Sequence, residues 1–213
     1  VAKAALGAPQ YGSMRAREFH ESQGVEDWRV LVGDEACAHF RTGSFAAGAH
    51  FAQSICPMLE GRQADVDIRP DGVTVRLTEP DAELARRISA VARESGMASV
   101  PVAPQRVQIS IDALGIPEVM PFWRAVLGYT EWGDEDLVDP RRCGPPVWFQ
   151  QSDIRRNRMH VDVYVPHDQG EARVAAAIAA GGTLVTDEFA PSWWVLADPE
   201  GNEACVGTWL DRE

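Results

Sequence analysis

The sequence predicts an α+β protein made of two units, and three observations predict it. Runs of period-two alternation are interleaved with helical periodicity along the whole chain. The stretch Met97-Ala98-Ser99-Val100-Pro101-Val102-Ala103-Pro104 carries two prolines and no charge, and reads as a linker behind the helix stop Gly96. Beyond it, the order strand, helix, three short strands occurs twice. The expected organisation is a tail over residues 1–13 with Met14 as a natural start, a first domain over 14–97, a linker over 98–105 and a second domain over 106–213.

In the first unit, residues 28–32 and 37–41 read as strands. Ser44 then caps a helix on which Phe51, Ile55 and Leu59 share a face, and Pro57 should end or kink it early. Val66 and Ile68, then Val73, Val75 and Leu77, alternate on either side of Pro70-Asp71-Gly72, the chemistry of a hairpin turn. Thr78-Glu79-Pro80-Asp81 opens a helix with Leu84, Ile88 and Val91 on one face. The expected result is a small antiparallel sheet covered by helices on one side.

In the second unit, the first module opens with a strand over 106–112. A helix follows Pro117, with Ile116, Met120, Trp123 and Leu127 on one face and Gly128 as its stop. Strands follow at 129–132, 137–139 and 147–151. The second module opens with a strand over 158–165, then a helix over 171–180 capped at Asp168 or nearby and stopped by Gly181-Gly182. Its remaining strands are expected at 183–186, 193–197 and 204–209.

Period two assigns the faces of these strands. Val107, Ile109 and Ile111 should pack under the helices, which aims Gln108, Ser110 and Asp112 at the other side. The same logic buries Met159, Val161, Val163 and Val165 and presents His160, Asp162 and Tyr164. It presents Trp148 and Gln150 on their strand, and Glu203, Cys205 and Trp209 on the last. A wet sheet face normally offers Lys, Glu and Thr; His, Gln, Trp, Tyr and Cys suit a partly enclosed pocket better.

Bulk composition narrows the function. With 213 residues, 45% hydrophobic and 24% charged, the chain can bury one large core or two small ones. A net charge of −12 argues against nucleic acid or an anionic membrane as partner, because phosphates demand Lys and Arg. No apolar run approaches the roughly 20 residues of a membrane span, and the first residues do not read as a charged-then-apolar signal peptide. Cys37, Cys56, Cys143 and Cys205 lack any CxxC spacing, which suggests reduced thiols and a cytoplasmic location. The expected partner is a small organic molecule, with homodimerisation compatible.

Four segments carry a family resemblance in the second unit. They are Pro121-Phe122-Trp123-Arg124-Ala125-Val126-Leu127-Gly128, Pro146-Val147-Trp148-Phe149-Gln150, the run Asn157-Arg158-Met159-His160-Val161-Asp162, and the turn Asp198-Pro199-Glu200-Gly201-Asn202. In that order and spacing, residues 107–209 resemble the glyoxalase/bleomycin-resistance/extradiol-dioxygenase family, the vicinal oxygen chelate superfamily. The resemblance implies paired βαβββ modules whose curled sheet holds a site in its concave groove. In catalytic members four groove residues hold a divalent metal, a Lewis acid for two vicinal substrate oxygens.

Position by position, the resemblance puts those ligand places at Gln108, His160, a site near Gln150, and Cys205, where the family has a glutamate; Glu203 could substitute. Two amides, one imidazole and one thiol offer little charge, so the set favours a metal-free pocket. A divalent metal is the alternative, with Gln108, Gln150, His160 and Glu203 as its candidates. His160 and Glu203 are the expected acid/base groups; Gln108, Asp112, Trp148, Gln150, Asp162, Tyr164 and Cys205 are the expected ligand contacts. Cys205 has no cation beside it in sequence, so an inert thiol is the plainer reading. Trp148 and one of Trp193 and Trp194 would stack on a planar ligand or pack the rim. Arg155-Arg156-Asn157-Arg158 would receive an anionic group or be a solvated loop. The resemblance implies a lyase, isomerase or dioxygenase type of enzyme, with a non-catalytic, bleomycin-resistance-like sequestering protein as the alternative.

Residues 28–96 resemble pterin-4a-carbinolamine dehydratase through His39-Phe40-Arg41, Asp65-Val66-Asp67-Ile68-Arg69-Pro70, the strand over 73–78 and Glu83-Leu84-Ala85-Arg86-Arg87-Ile88. That family's dehydration chemistry needs histidines for proton transfer. Their places read Arg62, Gln63 and Ala64 here, with Pro80 at a further one, so the expectation is a degenerate domain. A dehydratase-related function of this unit is a further alternative.

Overall fold

The computed structural model describes residues 14–31, 35–153, 159–197, 199, 201 and 203–212. The tail over 1–13, Val32, the basic run Arg155-Arg156-Asn157-Arg158, and Asp198, Glu200 and Asn202 of the turn lie outside the described residues. Two compact units form, the first running to Gln105 and the second spanning Arg106–Asp211. No helix among the described residues is long and apolar enough to cross a membrane.

In the first unit the elements are α1 (Ala16–Glu21), β1 (Trp28–Val30), β2 (Ala36–Arg41), α2 (Phe45–Leu59), β3 (Ala64–Ile68), β4 (Gly72–Leu77), α3 (Ala82–Glu94) and β5 (Ala98–Ser99). The antiparallel sheet runs β1-β2-β4-β3. Ser44 caps α2 by accepting from the Ala47 amide at 3.1 Å, and Asp81 caps α3 through the Leu84 amide at 2.9 Å. Pro57 sits in the last turn of α2, which closes two residues later. α2 lies close on the sheet at Gly48, where a Cβ would stand 3.0 Å from methyls of Ile68 and Val73. Leu59 and Val91, expected on the inner faces, are only partly buried at the helix margins. α1 has no counterpart in the sequence reading; it is one short turn anchored by Ala16 and Phe19.

The expected linker opens with structure. Ala98 and Ser99 pair with Arg41 and Phe40 of β2, and the Val100 amide donates to the His39 carbonyl at 2.8 Å. These residues use the edge of β2 that β1 leaves free. Arg62, at an expected histidine place, forms an ion pair with Asp81, while His39 Nδ1 lies 2.9 Å from the Thr74 hydroxyl. Trp28 is the central core residue, its indole N–H donating to the Ala85 carbonyl at 3.1 Å and to Ser89 Oγ at 3.0 Å.

In the second unit come β6 (Arg106–Ala113), α4 (Ile116–Leu127), β7 (Thr130–Trp132), β8 (Asp136–Val138), β9 (Val147–Gln151), β10 (Met159–Tyr164), α5 (Gly170–Ala179), β11 (Thr183–Thr186), β12 (Trp193–Ala197) and β13 (Glu203–Gly207). One open, curled sheet runs β11-β12-β13-β10-β6-β9-β8-β7. Its halves repeat each other: β6 pairs parallel with β9, and β10 pairs parallel with β13. The two opening strands, β6 and β10, lie antiparallel at the centre. α4 covers one half over Ile111, Ile116, Met120, Leu137, Val147 and Phe149, and α5 the other over Val165, Val174, Trp194, Leu196 and Val206.

Gly128 ends α4 in the left-handed region at φ +67°, with its amide on the Arg124 carbonyl. Two expectations need correction. Leu127, in the last turn of α4, is exposed. Met159 and Val161 are 51% and 42% exposed, because α4 and α5 each cover their own half and leave the seam between them open. The cap position of α5 falls next to Asp168, at Gln169, which makes no side-chain cap bond and ends a 3-10 turn, His167–Gln169.

Replacing Trp28 with Phe keeps the ring but strands two buried acceptors. Urea denaturation should show a loss of roughly 1–3 kcal/mol; an unchanged midpoint would mean that the indole bonds contribute nothing.

Candidate functional site

The helix-side cores fix which residues reach the groove. Ile111, Leu137, Val147, Phe149 and Val206 point into the cores under α4 and α5. Their neighbours along each strand therefore point the other way: Ser110 and Asp112 on β6, Asp136 on β8, Trp148 and Gln150 on β9, and Cys205 on β13. Register then lines these groups up across strands. Asp162 on β10 stands between Cys205 on one side and Gln108 on the other. His160 faces Ser110, Ser110 faces Trp148, and Trp148 faces Asp136. Asp112 faces Gln150.

A polar chain crosses the centre of this face. Ser110, fully buried, donates its hydroxyl to Asp162 Oδ2 at 2.6 Å. Asp162 is 5% exposed, and its other oxygen, Oδ1, lies 3.4 Å from His160 Nε2. That contact is within ion-pair range but is not aligned as a hydrogen bond, and Oδ1 accepts none among the described residues. One donor atom each from His160, Asp162 and Cys205 lie within 4.8 Å of one another. Asp112 Oδ1 and Gln108 Nε2 are likewise buried without a hydrogen-bond partner among the described residues. Burial holds the Asp112 carboxyl above its ordinary range, opposed by His160 and reinforced by Glu203.

Each expected residue therefore has a place. His160, Asp162 and Cys205 come together, Gln108 stands across from Asp162, Gln150 sits beside Asp112, and Glu203 precedes Cys205 by two positions. Tyr164 is buried, opposite Arg106 and Gly207. Tryptophans do not form open walls. Trp148 is buried with its indole N–H 3.5 Å from Glu135, Trp194 belongs to the core under α5, and Trp193 stacks on Phe189 at 4.4 Å. Trp209 is buried with its ring against His167.

Asp136 is a groove-face residue that the sequence reading missed. It is 4% exposed, its Oδ1 has no hydrogen-bond partner among the described residues, and its carboxyl is pushed up to about 7 by burial first and by Glu135 second. Its signal was alternation against Leu137, in a strand of three residues that is too short to show a period.

Two βαβββ modules, their central antiparallel strands and a polar concave face are the arrangement on which the family comparison bears. Residues 108–207 match the glyoxalase-like domain. The comparisons lend no support to the pterin-dehydratase resemblance of the first unit. No curated protein matches the chain. The crystal structure of an NAD-dependent benzaldehyde dehydrogenase from Legionella pneumophila aligns over 47% of this chain and 96% of that one, at 9% identity and a TM-score of 0.35. A likeness that weak carries no argument about fold or activity.

The resemblance implies a divalent metal in the glyoxalase-like domain, and the residues can be tested against it. Two amides would fit poorly, but the structure adds a carboxylate the sequence reading gave to ligand contact. Imidazole, carboxylate and thiolate together are a donor set that zinc accepts. The orphaned Asp162 Oδ1 is the atom such an ion would satisfy.

Asp136 gives a pH prediction. Its carboxyl ionises near 3.9 in the unfolded chain and at about 7 in the fold. Between those values only the folded state holds the proton, so this group's contribution to stability falls as pH rises and levels off above about 7. Asp136→Asn should flatten that slope, recovering roughly 1–3 kcal/mol between about pH 5 and about pH 8 in urea melts. A slope identical to that of the parent would show that Asp136 ionises normally.

Proposed function

We propose that the glyoxalase-like domain is an enzyme that binds a small, oxygen-bearing organic molecule in its groove and moves a proton on it, as a lyase or isomerase does. One observation carries the reading: strands β6, β10 and β13 bring Ser110, Asp112, His160, Asp162, Glu203 and Cys205 onto one face, where three of them meet within 4.8 Å.

Roles follow from the environments. Ser110 holds Asp162, and Asp162 lies against His160, so the imidazole is positioned from beneath. Asp112 and Glu203 couple electrostatically beside it. Burial, the larger effect, favours the neutral form of Asp112, which suits that carboxyl to giving up a proton. In this reading Glu203 takes the substrate proton, Asp112 returns one, and Gln108 and Gln150 orient the molecule. A divalent ion held by His160, Asp162 and Cys205 would supply Lewis acidity toward a substrate oxygen. The engagement of Trp148, Trp193 and Trp194 in packing speaks against a sequestering pocket with aromatic walls.

The test is proton exchange. Small keto and hydroxy acids, aldehydes and their esters would be incubated with the protein in heavy water and followed by proton NMR. Exchange next to a carbonyl is expected, reduced about 100-fold or more in Glu203→Gln with little change in KM. Saturable binding without exchange would replace the enzyme reading with the sequestering one.

A further inference from the structure

We propose that His160, Asp162 and Cys205 form a site for one zinc-class divalent cation, with Asp162 and the Cys205 thiolate supplying its two compensating charges. The proposal rests on the groove being the functional site, and it departs from the ligand set the resemblance implies. Asp162 is at no ligand place of that set, and Cys205 stands where it has a glutamate.

Tetrahedral zinc holds nitrogen and oxygen at about 2.0–2.1 Å and sulfur at about 2.3 Å, which separates neighbouring donors by roughly 3.3–3.6 Å. His160 Nε2 and Asp162 Oδ1 are 3.4 Å apart, already at that separation. All three donors fall within 4.8 Å, so the thiol closes the site by moving about 1 Å. The first two donors sit on one strand at alternate positions, and Cys205 is the direct parallel partner of Asp162. The site is therefore held by sheet register rather than by loops.

Asp162 itself points to a ligand independently of the cluster. It is 5% exposed, and a carboxylate so buried requires partners for both oxygens. Ser110 fixes Oδ2 at 2.6 Å, while Oδ1, 3.4 Å from His160 Nε2, accepts no hydrogen bond among the described residues. A bound cation satisfies that oxygen and removes the cost of the buried charge.

Charge and softness choose the ion. A carboxylate ligand from Asp162 and a thiolate from Cys205, whose proton passes to water on binding, bring two negative charges to one divalent ion and leave the site neutral. Imidazole and thiolate favour zinc or cobalt over magnesium and manganese, which want oxygen donors. Gln108, directly across β6 from Asp162, borders the remaining position.

The test uses the whole chain, stripped of metal and titrated with cobalt(II) alone as the spectroscopic probe. About one equivalent should bind and give a thiolate-to-cobalt charge-transfer band. Zinc should abolish the band, and excess magnesium or manganese should leave it. Cys205→Ser should remove the band with the circular dichroism unchanged. Asp162→Asn should weaken cobalt binding about tenfold or more, and His160→Gln provides a second variant should the buried carboxylate be needed for folding. No band, a band that survives Cys205→Ser, displacement by magnesium as readily as by zinc, or unchanged affinity in the His160 variant would each overturn the proposal. Ion binding is read by absorbance, so its failure leaves the exchange assay informative, and absence of exchange leaves the band informative.

Discussion

The antiparallel pairing of β6 with β10 is the constraint on which the rest of the second unit depends. It sets Gln108 against Asp162 and Ser110 against His160, and it joins two modules that otherwise repeat each other. A slip of one residue would turn every groove group toward the helices and every core residue toward the groove. Ile111 on β6 and Val165 just beyond β10 are buried in the two separate cores, so hydrophobic burial locks the register from both sides. Chemistry at the centre of the sheet is thus positioned by packing at its flanks.

The cost of that arrangement lies in its buried polar atoms. A carboxylate as enclosed as Asp162 is penalised by several kcal/mol unless its oxygens are satisfied. Ser110 satisfies one of them, and the other faces His160 without a hydrogen bond. Asp112, Asp136 and Gln108 repeat the pattern on the same face, each with a buried atom that lacks a hydrogen-bond partner among the described residues. Such atoms are tolerated where a ligand, ion, water or proton completes them. The first unit shows the contrast: Trp28, Ser89, His39 and Thr74 all find partners in it.

Much of this was legible in the sequence, for reasons that also explain what was not. Alternation places His160, Asp162, Gln108 and Cys205 on one face because side chains along a strand have a period of two. It cannot say that Cys205 is the partner of Asp162, since that pairing joins strands some 40 residues apart through a parallel register. Hence Asp162 read as a ligand contact and the metal set read as charge-poor. Nor does alternation say whether a helix covers an inward face: Met159 and Val161 follow the pattern and are exposed at the seam. Asp136 escaped because three residues carry too little pattern, and α1 because a single turn has two apolar positions. The tryptophans were legible as large groove or rim residues, but their packing partners were not.

Anomalous diffraction across the zinc absorption edge, on crystals grown with zinc, tests the central claim most directly. That claim is that strand register builds one site from His160, Asp162 and Cys205. The account predicts a single strong peak in the groove, about 2.0–2.3 Å from donor atoms of all three residues. A peak bound elsewhere, or a groove in which Asp162 meets His160 with no ion between them, would contradict it.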